Sequence, residues 1–288
     1  MMAVDDGKRF ARLDRLFDVG VLGDCRILVV GCGSGGGSVA LQLVMSGVKH
    51  FTLVDNDTLE LENVVRHVCG GRFVGLPKVD AVAEVLKDRN PLVDVTKWQL
   101  DVTRDPKMEE LVEQADALVL ATDNEPSRWR INELCVRHGT PYCVARVFTR
   151  GIGGEVFAYR PGSGGCLACL EAVLQRTTYR SGIREVDLLT EQERDEMYGL
   201  AVTEIKDSPG LNVDISFITA FHTRYVLDSV ARLLPARPKY LSEIPENYLI
   251  WGNRPIAPFE KNFQLQRMWL SPQTGCTVCG GVESKSAI

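Results

Sequence analysis

The stretch RILVVGCGSGGGSVALQLVMSGVKHFTLVDND, residues 26–57, decides how this chain is read. RILVV is an apolar, β-branched run, the pattern of a strand buried on both faces. It enters GCGSGG (31–36) and then SVALQLVMSG (38–47), which reads as a helix closed by Gly47. HFTLVDND (50–57) follows as a second strand. Strand, glycine turn, helix and strand in about 30 residues make a βαβ unit. Gly31, Gly33 and Gly36 fit G-x-G-x-x-G, whose glycines permit a tight turn and let backbone approach a phosphate at a helix N-terminus. Asp55 lies 19 residues beyond Gly36, near the end of the second strand with Asp57, where a carboxylate accepts hydrogen bonds from ribose hydroxyls. The pattern implies a ribose-containing nucleotide.

Alternation continues outward from this unit. PKVDAVAEVLKDRN (77–90) places Val79, Val82, Ala83 and Leu86 on one helix face. A strand near 93–100, a helix near 106–114, the strand ADALVLA (115–121), a helix from Pro126 to His138 and the strand PYCVARVF (141–148) come next. GGEVFAYRP (153–161) reads as a further strand after a change of sheet direction. The order predicts an α/β fold, a doubly wound, mostly parallel, Rossmann-like sheet with a C-terminal antiparallel extension. Residues 175–210 hold 13 charged residues and read as a long exposed excursion. Residues 211–234 read as a long helix, apolar nearly all round, destined for a core or a subunit interface. NYLIWGNRP and FQLQRMWLSP suggest a hairpin. The expected organisation is an N-terminal helical arm (1–25), a nucleotide-binding part (26–165), and a crossover loop, interface helix and zinc-pinned tail (166–288), integrated as one domain.

Composition narrows the function. The 288 residues carry 33 basic and 38 acidic side chains, a net charge of −5, with 45% hydrophobic residues. This argues against a nucleic-acid or anionic-membrane binder. No apolar run approaches the roughly 18–20 residues of a membrane helix, and MMAVDDGKRF is too polar for a signal peptide, so a cytoplasmic protein is expected. Nine cysteines, an odd number, do not suggest a disulfide framework. Cys25, Cys32, Cys69, Cys135 and Cys143 are scattered among apolar residues and read as buried thiols. Cys166/Cys169 and Cys276/Cys279 form two C-x-x-C pairs, and four thiolates predict a closed, tetrahedral structural Zn²⁺ site.

The nucleotide can be specified further. DNDTLELENVVRHV sets Asn63, Arg66 and His67 after the second strand, and Lys78 follows in VGLPK. Two cations and an amide suit the three phosphates of ATP better than the diphosphate of NAD. LVLATDN delivers Asp123 to a strand end beside the switch-point crevice, where it suits Mg²⁺. An NAD-dependent oxidoreductase is the competing reading of the glycine motif with Asp55.

Taken together, RFARL, VVGCGSGGGS, LVDNDTLELENVVRH, GLPK, NPLVDV, LATDN, CLACL and GCTVCG run in an order that resembles the ThiF/MoeB/HesA-type adenylyltransferases, relatives of the adenylation domain of ubiquitin-activating enzymes. The resemblance implies that Asp55 holds the ribose, that Asn63, Arg66 and Lys78 hold the phosphates, and that Asp123 holds Mg²⁺. It implies that Arg12 reaches into a partner subunit's site, making a homodimer part of the mechanism. The implied reaction joins the C-terminal carboxylate of a small ubiquitin-like or sulfur-carrier protein, or of a peptide, to AMP and releases pyrophosphate. Two departures stand out. His67 replaces the family's usual Gln after the arginine. Residues 170–210 contain no cysteine, whereas members that form a thioester place one there. An enzyme that stops at the acyl-adenylate is therefore expected; the alternatives are a thioester through another cysteine, with Cys143 and Cys69 the candidates, or an inactive partner subunit.

Overall fold

The computed structural model describes residues 6–148, 151–176, 210–256 and 258–280. A short helix, α1 (Asp6–Arg9), and a 3-10 turn (Val19–Leu22) lead into β1 (Arg26–Val30). Ile27 and Val29 of β1 enter one hydrophobic layer while Leu28 and Val30 enter the other. That alternation buries β1 on both faces and explains its unbroken apolar run. Helix α2 (Ser34–Met45) follows, then β2 (His50–Val54), α3 (Lys78–Arg89), β3 (Asp94–Trp98), α4 (Lys107–Gln114), β4 (Ala117–Leu120), α5 (Glu125–His138) and β5 (Tyr142–Val147). The chain continues with β6 (Gly153–Tyr159), α6 (Leu167–Gln175), α7 (Asn212–Leu233), β7 (Tyr248–Gly252) and β8 (Gln264–Met268).

The eight strands form one sheet in the order β3-β2-β1-β4-β5-β6-β7-β8. Strands β1 to β5 are parallel, and β6, β7 and β8 add on antiparallel. The mixed sheet and its antiparallel extension are as the sequence predicts. Chain order reverses between β1 and β4, which opens a crevice at the carboxyl ends of those strands. Helices α2, α3 and α7 cover one face through Leu43, Val82, Val226 and Val230. Helices α4, α5 and α6 cover the other through Met108, Leu111, Ile131 and Leu170.

Two local differences from the sequence reading have physical causes. Helix α2 starts at Ser34 rather than 38, because three glycines are accommodated in its first turn. Helix α6 is absent from the sequence reading: at nine residues it is short, and its buried face, Leu167, Leu170 and Leu174, is interrupted by Cys169. The long apolar helix takes one of the two placements expected of it, the core: α7 buries Ile215, Ile218, Tyr225, Val226 and Val230 against the sheet and α2. Most of the charged excursion, residues 177–209, lies outside the described residues.

A four-way charge cluster ties the C-terminal half together. Asp228 on α7 is buried and accepts from Arg160 (3.1 Å), Arg232 (2.9 Å), Arg237 (3.0 Å) and the Ile244 amide (3.1 Å). Arg160, just past β6, also donates to the carbonyls of Ile244, Pro245 and Glu246. One carboxylate thus fastens the end of β6, α7 and the loop leading to β7.

Candidate active site

A cavity of about 530 Å³ opens at the carboxyl ends of β1, β2, β4 and β5. Its floor is the glycine turn. Gly31 has φ +93°, and a Cβ there would lie 2.7 Å from the Ala121 carbonyl oxygen. At Gly36 a Cβ would fall 1.8 Å from the Gly31 oxygen, so this glycine serves close packing of α2 on β1 and does not line the cavity. Gly33 faces open space and lines the cavity. No side chain caps α2. Its first-turn amides and the positive end of its dipole therefore face the cavity, a site for an anion.

Asp55, Asp57, Asn63, Arg66, Lys78 and Asp123 all line this one cavity. Asp55 is nearly buried and accepts from the Cys32 amide (2.6 Å) and the Asp57 amide (2.8 Å). Burial raises its pKa, and the two amides oppose that shift. Each oxygen retains a lone pair for a further donor. Asp57 pairs with Lys78 at 2.7 Å, so the lysine ammonium is held at the cavity wall. The Arg66 Nε is buried and has no hydrogen-bond partner among the described residues, which marks a donor built for a ligand. Asn124, not Asp123, caps α5 by accepting from the Ser127 amide (2.9 Å), leaving the exposed Asp123 carboxylate to the cavity. Arg12 is exposed in the turn after α1 and does not line the cavity of its own chain.

Sequence reasoning missed the far wall, formed by Arg128 and Arg146. Arg128 on α5 is buried, donates to the Thr122 carbonyl (2.7 Å) and pairs with Glu125 (2.5 Å). Arg146 on β5 bonds Glu171 on α6 (2.7 Å) and lies 3.4 Å from Glu155 on β6. Tyr248 on β7 donates to Glu155 (2.5 Å). These charges are spread over α5, β5, β6 and α6, so no local motif announces them.

The two C-x-x-C pairs converge away from the cavity. The four Sγ atoms lie within 4.8 Å of one another, with pairs at 4.0, 3.7 and 3.5 Å. A tetrahedron with metal–sulfur bonds of about 2.3 Å has edges of about 3.8 Å, so the donor set can hold a metal ion. The Gln273 amide donates to the Cys169 sulfur at 3.2 Å, as an outer-shell partner of a thiolate ligand would. The other five cysteines are buried, and burial raises every one of their pKa values, Cys25 to about 11 and both Cys69 and Cys143 to about 12.

Among curated proteins, adenylyltransferase and sulfurtransferase MOCS3 of Arabidopsis thaliana is 32% identical over 145 residues, covering 50% of this chain and 31% of that protein. MOCS3 of Sus scrofa is 31% identical over 175 residues, covering 59% and 38%. The chain thus spans about a third of the length of these relatives. Among solved structures, E. coli MccB superposes with a TM-score of 0.69 at 20% identity, covering 97% of this chain and 75% of that one. PaaA superposes with a TM-score of 0.63 at 19% identity, covering 94% and 84%. At such identities the likeness concerns the fold. Among the described residues no helix is long and apolar enough to cross a membrane. The ThiF family model matches residues 15–288, nearly the whole chain that builds this sheet and cavity, and the chain belongs to the ThiF family.

Proposed function

We propose that the protein adenylates a carboxyl terminus. The single observation that carries the reading is the convergence of Asp55, Asn63, Arg66, Lys78 and Asp123 around an uncapped helix N-terminus at the sheet's switch point. In this reading Asp55 binds the ribose, while Asn63, Arg66, Lys78 and the α2 amides bind the phosphates. Asp123 is the residue that would hold Mg²⁺, which neutralises phosphate charge when bound. The substrate carboxylate attacks the α-phosphorus, the bond to the β-phosphate oxygen breaks, and pyrophosphate departs. Lys78 and Arg66 receive the charge that develops on the phosphoryl oxygens, so catalysis is positioning and electrostatic stabilisation. The carboxylate belongs to a small ubiquitin-like or sulfur-carrier protein or to a peptide; solved MccB structures include complexes with ATP and with MccA, and MOCS3 carries adenylyltransferase in its name. The working form is a homodimer, with Arg12 of the partner subunit completing the site.

The reaction ends at the acyl-adenylate. A thioester step needs an accessible thiolate. All nine cysteines are described: four cluster as potential metal ligands, and five are buried with raised pKa values. The expected result is ATP–pyrophosphate exchange that depends on the acceptor, with no acceptor–enzyme adduct that dithiothreitol cleaves. Absence of exchange together with tight NAD binding would overturn the adenylation reading, and a thiol-labile adduct would overturn its endpoint.

The Cys166, Cys169, Cys276 and Cys279 cluster holds structural zinc in this proposal. Reduced protein should contain one zinc per chain by elemental analysis. Cys276→Ser should lower both zinc content and the melting midpoint; full occupancy without that sulfur would refute the ligand set.

A further inference from the structure

His67 lies at the edge of the nucleotide cavity, nine-tenths buried, in the position where relatives were expected to carry a phosphate-side amide. Its ring does something else. Nδ1 accepts from the Cys69 backbone amide at 3.1 Å, and Nε2 lies 2.8 Å from the Cys32 carbonyl oxygen. An Nδ1 that accepts carries no proton, so the ring proton sits on Nε2 and is donated to Cys32. Both nitrogens are then satisfied, and only in the neutral ring.

Cys32 is the residue between Gly31 and Gly33. Its amide is held by Asp55 at 2.6 Å and its carbonyl by His67 at 2.8 Å. The segment after β2, which also carries Asn63 and Arg66, therefore grips the glycine turn from both sides. We propose that His67 is a positioning residue for the nucleotide: bridging the Cys32 carbonyl and the Cys69 amide, its neutral ring holds the glycine turn in the form that receives phosphate, and protonation at Nδ1 breaks the Cys69 end of that bridge and unseats the ring that holds the turn. The inference rests on the ATP-binding reading above.

The surroundings bear on the charge of the ring. Burial opposes a second proton most; the bond to the Cys32 carbonyl favours it, while Lys78 on α3 and Arg66 on its own segment oppose it, so the pKa lies below the ordinary histidine value of about 6.5. Asp55 is the nearby anion, already bonded to the Cys32 and Asp57 amides. The Cys32 and Cys69 thiols are neutral because burial raises their pKa values. Helix α7 approaches this segment through the uncharged Asn212, which donates to the Arg66 carbonyl at 2.9 Å. A basic group whose folded pKa is depressed stabilises the fold fully above its unfolded value. Its contribution is lost as pH falls below about 6.5 toward the folded value.

Glutamine offers one amide donor and one carbonyl acceptor and does not titrate, so His67→Gln separates the bridge from the charge. On native protein, the KM for ATP in pyrophosphate exchange should rise as pH is lowered below about 6.5 through the titration of His67, and His67→Gln should lack that component. The titration of ATP itself cancels between the two proteins. At pH 7.5, His67→Ala should raise KM about tenfold with little change in kcat, as loss of the hydrogen bond to the Cys32 carbonyl and of its anchor on the Cys69 amide implies, while His67→Gln stays within about twofold. Amide exchange gives a readout free of ATP: the protection of the Cys69 amide should fall on acidification in native protein alone. Identical pH profiles for native and His67→Gln, with Cys69 protection unchanged, would overturn the inference while leaving adenylation intact. Failure of the native protein to bind ATP at any pH would overturn the adenylation reading and this inference with it.

Discussion

Asp228→Asn should lower the melting midpoint by roughly 6–10 °C. The carboxylate is almost fully buried and accepts from three arginines and one backbone amide. Removing one partner of a buried charge set leaves the others desolvated and unpaired, which costs about 3–5 kcal/mol. In a chain of this size about 2 °C accompanies each kcal/mol. Arg160 bears most of the loss, because it is buried and burial already disfavours its charged form. Arg232 and Arg237 are partly exposed and recover water. Three elements meet at Asp228, so the variant should also expose α7 to proteolysis. Calorimetry of the native protein and the asparagine variant checks this; an unchanged midpoint would mean that the cluster contributes nothing net.

The second large effect is catalytic. Lys78→Ala should reduce acceptor-dependent pyrophosphate exchange by about 10²–10³-fold, the usual consequence of deleting one electrostatic contact to a transition-state oxyanion. Here the loss has two parts. Lys78 and Asp57 form a 2.7 Å ion pair at the cavity wall, so removing the ammonium also leaves an unpaired carboxylate in the cavity that the proposed function assigns to the phosphates. The double variant Lys78→Ala with Asp57→Ala should accordingly regain about tenfold over the single variant. Steady-state exchange rates decide it; equal losses in the two would show that Asp57 does not face the phosphates.

The central unit of the fold was legible because its signals are local. A β-branched run, a glycine turn and a periodic helix fall within one continuous stretch, and each has few structural alternatives. That Asp55, Asn63, Arg66 and Lys78 would line one cavity could be read because all four fall in the single stretch from the end of β2 to the start of α3. The two C-x-x-C pairs were legible as a set although they are far apart, since cysteine spacing is chemically restrictive. The Arg128 and Arg146 wall and the Asp228 cluster were not. Each joins single charged residues from elements distant in sequence, and an isolated Arg or Glu looks the same whether it faces water or a buried partner. His67 was legible as a departure from the family pattern, but its bridge was not, because that depends on which backbone groups lie at either ring nitrogen.

Helix α6 links two regions that otherwise look independent. It is nine residues long, begins immediately after Cys166 and carries Cys169 near one end. Two positions further on, Glu171 holds Arg146 in the cavity wall. The sulfur cluster and the wall of the active cavity are thus attached to one short rigid lever. An ion seated among the sulfurs would set the angle of that lever, and its removal would first be felt as a misaligned arginine in the cavity. On the proposed function, acceptor-dependent exchange should therefore fade under chelation before the protein melts, and exchange that persists up to the melting midpoint would refute the link through α6.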